Sequence, residues 1–194
     1  MATGEADNSV DLKHCKDGVT WTQYDFNPIP LAAGETLYLK GNNENGFSGE
    51  QRLCTFGDLS SIGMSNTPST GKFECHGNIM SLLYGDDFED KTTIPSETCF
   101  GYLFFNCSGL TTAPELPATT MTEMCYYGMF DGCTSLNHIT MLATYISAYN
   151  CLNGWVNGVS STGTFVKHPD MDSLPTGTSG IPEGWTVIDY DFKN

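Results

Sequence analysis

Charge is scarce in this chain and strongly one-sided. Only 16% of the 194 residues are charged, with 8 Lys and Arg against 23 Asp and Glu, where a soluble domain carries roughly 25%. A formal net charge of −15 excludes nucleic acid as a partner, because so few scattered cations cannot neutralise a phosphate track. Anionic membrane surfaces are excluded on the same ground. No apolar run approaches the roughly 18 residues that span a bilayer, so no membrane insertion is expected. Residues 1–10 (MATGEADNSV) offer neither the basic nor the apolar region of a signal peptide. Also missing are a G-x-S-x-G elbow, a Walker loop, a G-x-G-x-x-G turn and an H-E-x-x-H helix. A Ser/His/Asp set can be assembled from almost any chain, so hydrolase chemistry is disfavoured, and neither catalysis nor a cofactor is expected.

What fills the space is Gly, Ser, Thr and Asn, the composition of strands and turns with neutral hydrogen-bonding faces. A repeat carries most of the information. Cys99, Cys125 and Cys151 are spaced by 26, and so are Cys107 and Cys133. The same offset aligns Phe100 with Tyr126 and Leu152, Leu103 with Met129 and Trp155, and Phe104 with Phe130 and Val156. Leu110 with Leu136, Ala113 with Ile139 and Phe165, and Leu116 with Leu142 follow. Units of 20–29 residues that each bury an apolar side against the next make a solenoid with a leucine-rich-repeat cadence. Within a unit, Met121, Cys125, Met129, Phe130 and Cys133 predict one face of a short helix or 3₁₀ segment. It should stop at Asn106, Gly132 and Gly158, a column that tolerates left-handed backbone.

The front half reads as strands over residues 19–24 (VTWTQY) and 36–40 (TLYLK), while the prolines of 26–30 exclude a central strand. Residues 72–83 look like a strand feeding the repeat, and 60–70 like an exposed loop. The tail, 180–190, is a Pro-Gly turn and a strand that closes the open end. The expected fold is therefore mainly β with short helical turns. Residues 1–70 form an N-terminal β module, and 71–194 a short solenoid (coils over about 94–167) with a C-terminal strand cap.

Several segments, among them DGVTWTQYDFNPIPLAAGETLYLKGNN, GNIMSLLYGDDF, MTEMCYYGMFDGCTSL and GIPEGWTV, resemble the BspA-like leucine-rich repeat proteins of gut anaerobes. The resemblance covers nearly the whole chain after about residue 8. It implies an exported or surface-attached adhesion protein, possessing no catalytic motif, whose partner is a protein or a glycan, host-derived in the adhesive case. The alternative is a phage virion or assembly component that uses the same module. Nothing in the sequence sets an oligomeric state.

Repeat phase explains five of the eight cysteines as core thiols, each a small hydrophobe. Cys15, Cys54 and Cys75 lie outside the repeat and could pair among themselves. No C-x₂-C occurs, and the C-x₇-C pairs do not suit a zinc knuckle. His14, His76, His138 and His168 are too dispersed to suggest a metal site. A Ca²⁺ site would draw on Asp86, Asp87, Glu89 and Asp90, but these lack the EF-hand spacing and its glycine, so a solvated acidic loop is expected. The columns containing Phe105, Tyr127 and Asn153 point to solvent, and Thr112, His138 and Thr140 lie on the outward face of the strand. These six residues are the expected binding surface, with the two aromatics as exposed anchors.

Overall fold

The computed structural model describes residues 10–25, 27–44, 46–47, 71–171 and 173–193. The protein is mainly β, and among these residues its helix is limited to four residues. The loop expected at 60–70, and Cys54, lie outside the described residues.

Two sheets organise the chain. In the first, β1 (Lys13–Cys15) sits between β2 (Thr22–Gln23) and β3 (Tyr38–Lys40), all antiparallel. The strand expected over 19–24 is cut to two residues, because Asp17 Oδ1 accepts from the backbone N–H groups of Val19 (2.9 Å) and Thr20 (2.7 Å). That Asx-type turn holds the intervening residues out of the ladder. The strand expected over 36–40 begins only at Tyr38.

The second sheet is parallel and five-stranded, in chain order: β4 (Phe73–Glu74), β5 (Leu110–Thr112), β6 (His138–Met141), β7 (Thr164–Lys167) and β8 (Thr186–Asp189). Its register reproduces the sequence period: Thr112 pairs with His138, His138 with Thr164, and Ile139 with Phe165. The tail strand closes the sheet as expected, with Phe165 paired to Val187. The single strand expected over 72–83 is corrected to β4 followed by α1 (Ser81–Tyr84). Met80 N–H donates to Asn78 Oδ1 (2.8 Å), and this local acceptor starts the helical turn.

The segment opposite the strands departs from expectation most. Residues 98–106 and 124–132 are not helical; each is a run of linked turns with a left-handed residue at every fourth position. Positive φ occurs at Thr98, Tyr102 and Asn106, at Met124, Gly128 and Gly132, and at Asn150, Gly154 and Gly158, between 51° and 80°. Alternate N–H groups donate three residues back, as Gly101 does to Thr98 and Leu103 to Phe100. The others donate to the next unit: Phe100 to Cys125, Tyr102 to Tyr127 and Phe104 to Met129, then Tyr126 to Cys151, Gly128 to Asn153 and Phe130 to Trp155, at 2.8–3.0 Å. A helix would spend these donors inside its own segment. Here they tie one 26-residue unit to the next along a second side, as the strands do along the first.

Aromatic side chains fill the space between these two sides. Phe100 stacks on Tyr126 (5.9 Å between ring centroids) and Phe104 on Phe130 (5.5 Å). Trp155 contacts both Tyr126 and Phe130 and meets Phe165 of β7 edge to face. Each such buried ring contributes roughly 1.5–3 kcal/mol. One core cluster extends from Val10, Leu12 and Phe47 through the repeat to Trp185, so the two sheets share it. Cys99, Cys125, Cys133 and Cys151 are buried free thiols inside the stack, Cys107 is buried among them, and Cys15 and Cys75 are free as well. Cys133 Sγ donates to the carbonyl of Phe104 one unit away (2.9 Å), which fits a thiol to the polar edge of a core position.

Candidate binding face

The fourfold rhythm of the turn run sorts its side chains. Two consecutive residues point inward, as Leu103 and Phe104 or Met129 and Phe130 do, and the next two point outward. The outward positions bring together Tyr102, Phe105 and Asn106 from one unit, Tyr127 and Asp131 from the next, and Asn153 and Asn157 from the third. Tyr102 is the hub. Its ring meets Phe105 edge to face (5.4 Å, 88° between planes) and Tyr127 in a similar way (5.4 Å, 63°).

The anchors expected to be exposed, Phe105 and Tyr127, are thus corrected to half-buried, because each leans on Tyr102. Space for the hub comes from glycine one unit along. A Cβ at Gly128 would stand 2.4 Å from Tyr102 Cε1, so no larger residue fits beneath the ring. Gly132 makes the same room for Asn106, whose Oδ1 would be 2.2 Å from an added Cβ.

Polar groups rim the rings. Asp131 Oδ1 accepts from Asn157 Nδ2 across one unit boundary (2.9 Å), and Asn153 Nδ2 donates to Asn150 Oδ1 (3.3 Å). Burial pushes the Tyr102 phenol above its ordinary range, with Tyr127 and the Asp131 carboxylate adding to the rise, so Tyr102 is neutral over the physiological range. No Lys or Arg occurs between Lys91 and Lys167. The face therefore offers ring edges and faces, phenol hydroxyls, amides and carboxylate oxygens, in a stretch of chain that has no Lys or Arg.

The other three expected residues lie on a different element. Thr112 and His138 are half-buried and paired in register, in a row continued by Thr164 and Thr186. Thr140 is paired with Val166, which is buried. The single six-residue surface is corrected accordingly: Phe105, Tyr127 and Asn153 belong to the turn side, and Thr112, His138 and Thr140 to the strand side. The offset of 26 aligns residues between units but does not say which side of a unit a column occupies.

Tyr102 was not anticipated, although its column (Tyr102, Gly128, Gly154) carries the signal of one large residue followed by two that leave space. Tyr145 and Tyr149, 63% and 67% exposed, were missed too. Tyr149 shares its column with Glu97 and Glu123, so the third unit exchanges a charge for a ring.

In the acidic segment Asp86 is engaged by Lys40, whose Nζ lies 2.7 and 2.8 Å from its two oxygens, while Asp87, Glu89 and Asp90 are exposed. A Ca²⁺ site there would have to displace that lysine. Among the described residues, no three His, Cys, Asp or Glu converge as a metal cluster. Among the described residues, no helix is long and apolar enough to cross a membrane. Comparison with protein-family models, with curated proteins and with solved structures finds no match.

Proposed function

We propose that this chain is a non-catalytic binding module of a bacterial cell surface, a short leucine-rich-repeat-like solenoid that holds a protein or glycan partner on its turn side. The observation that carries the reading is the edge-to-face cluster of Phe105, Tyr102 and Tyr127. Rings fixed against one another before a partner arrives lose little conformational freedom on binding, the property that makes tyrosine effective in binding surfaces. The backbone beneath is tied at alternate residues to the neighbouring unit, so the face is stiff as well as aromatic.

Surface plasmon resonance tests the proposal against a panel of matrix proteins, mucin and polysaccharides. Wild-type protein is compared with the Phe105→Ala/Tyr127→Ala and His138→Ala variants. A partner whose affinity falls with the first variant and not the second supports the turn side. Equal affinity for all three proteins removes it.

A virion or other assembly component is the second reading, favoured by the outer edge of β8, where Val187 and Ile188 are exposed. End-to-end polymers in sedimentation velocity, abolished by Ile188→Lys, would support that reading.

A further inference from the structure

We infer that the ligand of the turn side is an uncharged oligosaccharide chain lying along the repeat direction, from Tyr102 past Tyr127 toward Asn153. The inference rests on the binding role proposed above and narrows it to a chemical class.

Charge narrows it first. No Lys or Arg lies between Lys91 and Lys167, and the formal charge beside Tyr102 is the carboxylate of Asp131. Uronate, sulfate or sialate groups would approach that carboxylate with nothing to neutralise them, and burying an unpaired charge is costly. The carboxylate is already oriented by Asn157 Nδ2 (2.9 Å), so it is poised to accept from hydroxyl groups. Neutral sugars supply hydroxyl donors and acceptors in abundance, which Asp131, Asn153, Asn157 and the phenols can meet.

Backbone chemistry narrows it further. A peptide partner commonly adds itself to free N–H and C=O groups as an extra strand. In the turn run those groups are spent: Tyr102 donates to Tyr127, Asn106 to Asp131, Gly128 to Asn153 and Gly132 to Asn157. Recognition on this side must therefore come from side chains, with ring faces for C–H surfaces and amides for hydroxyls. A ligand built of repeated rings also matches a site built of repeated units. Tyr102 and Tyr127 stand 5.4 Å apart along the repeat, and Asn153 occupies the Tyr127 column one unit on.

Affinity electrophoresis through gels containing single polysaccharides tests this. Neutral glucan, mannan, galactan and xylan are run beside polygalacturonate, alginate, heparin and cationic chitosan. We expect at least one neutral polysaccharide to retard the wild-type protein and the acidic ones to have no effect. Tyr102→Ala and Tyr127→Ala should each weaken that retardation roughly tenfold. Asn153→Ala, a change at an exposed position that leaves the core intact, should weaken it measurably with an unchanged melting temperature.

Retardation by acidic polysaccharides or by chitosan alone overturns the neutral class and leaves the turn side standing. The same holds if a matrix protein binds in a Tyr127-dependent way while no neutral polysaccharide does. Retardation by a neutral polysaccharide that survives both tyrosine substitutions overturns this inference and the turn-side proposal together.

Discussion

A pair of glycine substitutions separates the turn run from the helix it resembles in sequence. Gly154 has φ of +63° with nothing within 4 Å of an added Cβ, so Gly154→Ala meets only backbone strain. Left-handed backbone costs a residue with a Cβ about 1–2 kcal/mol. In a helix the same change would stabilise by about 1 kcal/mol. The two conformations thus predict opposite signs. For a chain of this size the loss corresponds to a fall in Tm of roughly 2–8 °C.

Gly128→Ala carries the same strain (φ +56°) and adds a collision, with Tyr102 Cε1 at 2.4 Å and Cδ1 at 2.7 Å. The ring would have to swing away from Phe105 and Tyr127, losing two aromatic contacts of about 0.5–1.5 kcal/mol each. The expected total is about 2–5 kcal/mol. In a Tyr102→Ala background the collision vanishes and Gly128→Ala should cost no more than Gly154→Ala. Thermal and urea unfolding followed by circular dichroism measure the wild type and the four variants. A higher Tm for Gly154→Ala, or equal costs at the two glycines with Tyr102 intact, would refute this account of the turn run.

Three further outcomes are expected. Trp155→Ala removes a ring that packs on Tyr126, Phe130 and Phe165 and leaves the Gly180 carbonyl without its indole donor (2.9 Å), so urea unfolding should show a loss of about 3–5 kcal/mol. The thiols of Cys99 and Cys107 are pushed up to about 11, and those of Cys75 and Cys125 to about 12, chiefly by burial. Peptide mapping after iodoacetamide at pH 8 should find these four unmodified in folded protein and modified in urea, because the thiolate is the reactive form. The Asp17 carboxyl is lowered from 3.8 to about 2 by the backbone N–H groups of Thr20 and Val19. Since the folded value lies below the unfolded one, its contribution is full above about pH 4 and is lost as pH falls through about 2. A proton titration read at the Val19 and Thr20 amides by NMR should give that low midpoint, and a midpoint near 3.8 would show the turn absent.

The offset between cysteines made the sheet legible. Once Cys99, Cys125 and Cys151 are superposed, the strand register Thr112–His138–Thr164 follows, as does the stack of Phe104 on Phe130. The turn run resembles a helix in sequence because Met121, Cys125, Met129 and Cys133 fall on a spacing near that of a helix. Their period is four, however, and a helix repeats every 3.6 residues, so four successive positions would drift off its face. Glycine at 128, 132, 154 and 158 was the local sign of left-handed backbone, read only at one column. Partition of the expected surface between two sides of the unit is hidden for a different reason. Periodicity reports which residues lie over one another, whereas the side of the unit depends on where the chain bends. The N-terminal sheet was only partly visible, since β1 (Lys13–Cys15) is too short and polar to show alternation, and one aspartate decides where β2 begins.

Donors shared between units at a fixed offset make tolerance to insertions and deletions quantised. Excising residues 125–150 would slide Cys151 into the place of Cys125 and put Trp155 where Met129 stood, with every later column still in phase. Removing one residue fewer would turn each inward thiol and ring out of the core and leave the ladder of alternate N–H groups without acceptors. Such a chain can change length in whole steps, and shorter slips are mechanically forbidden to it.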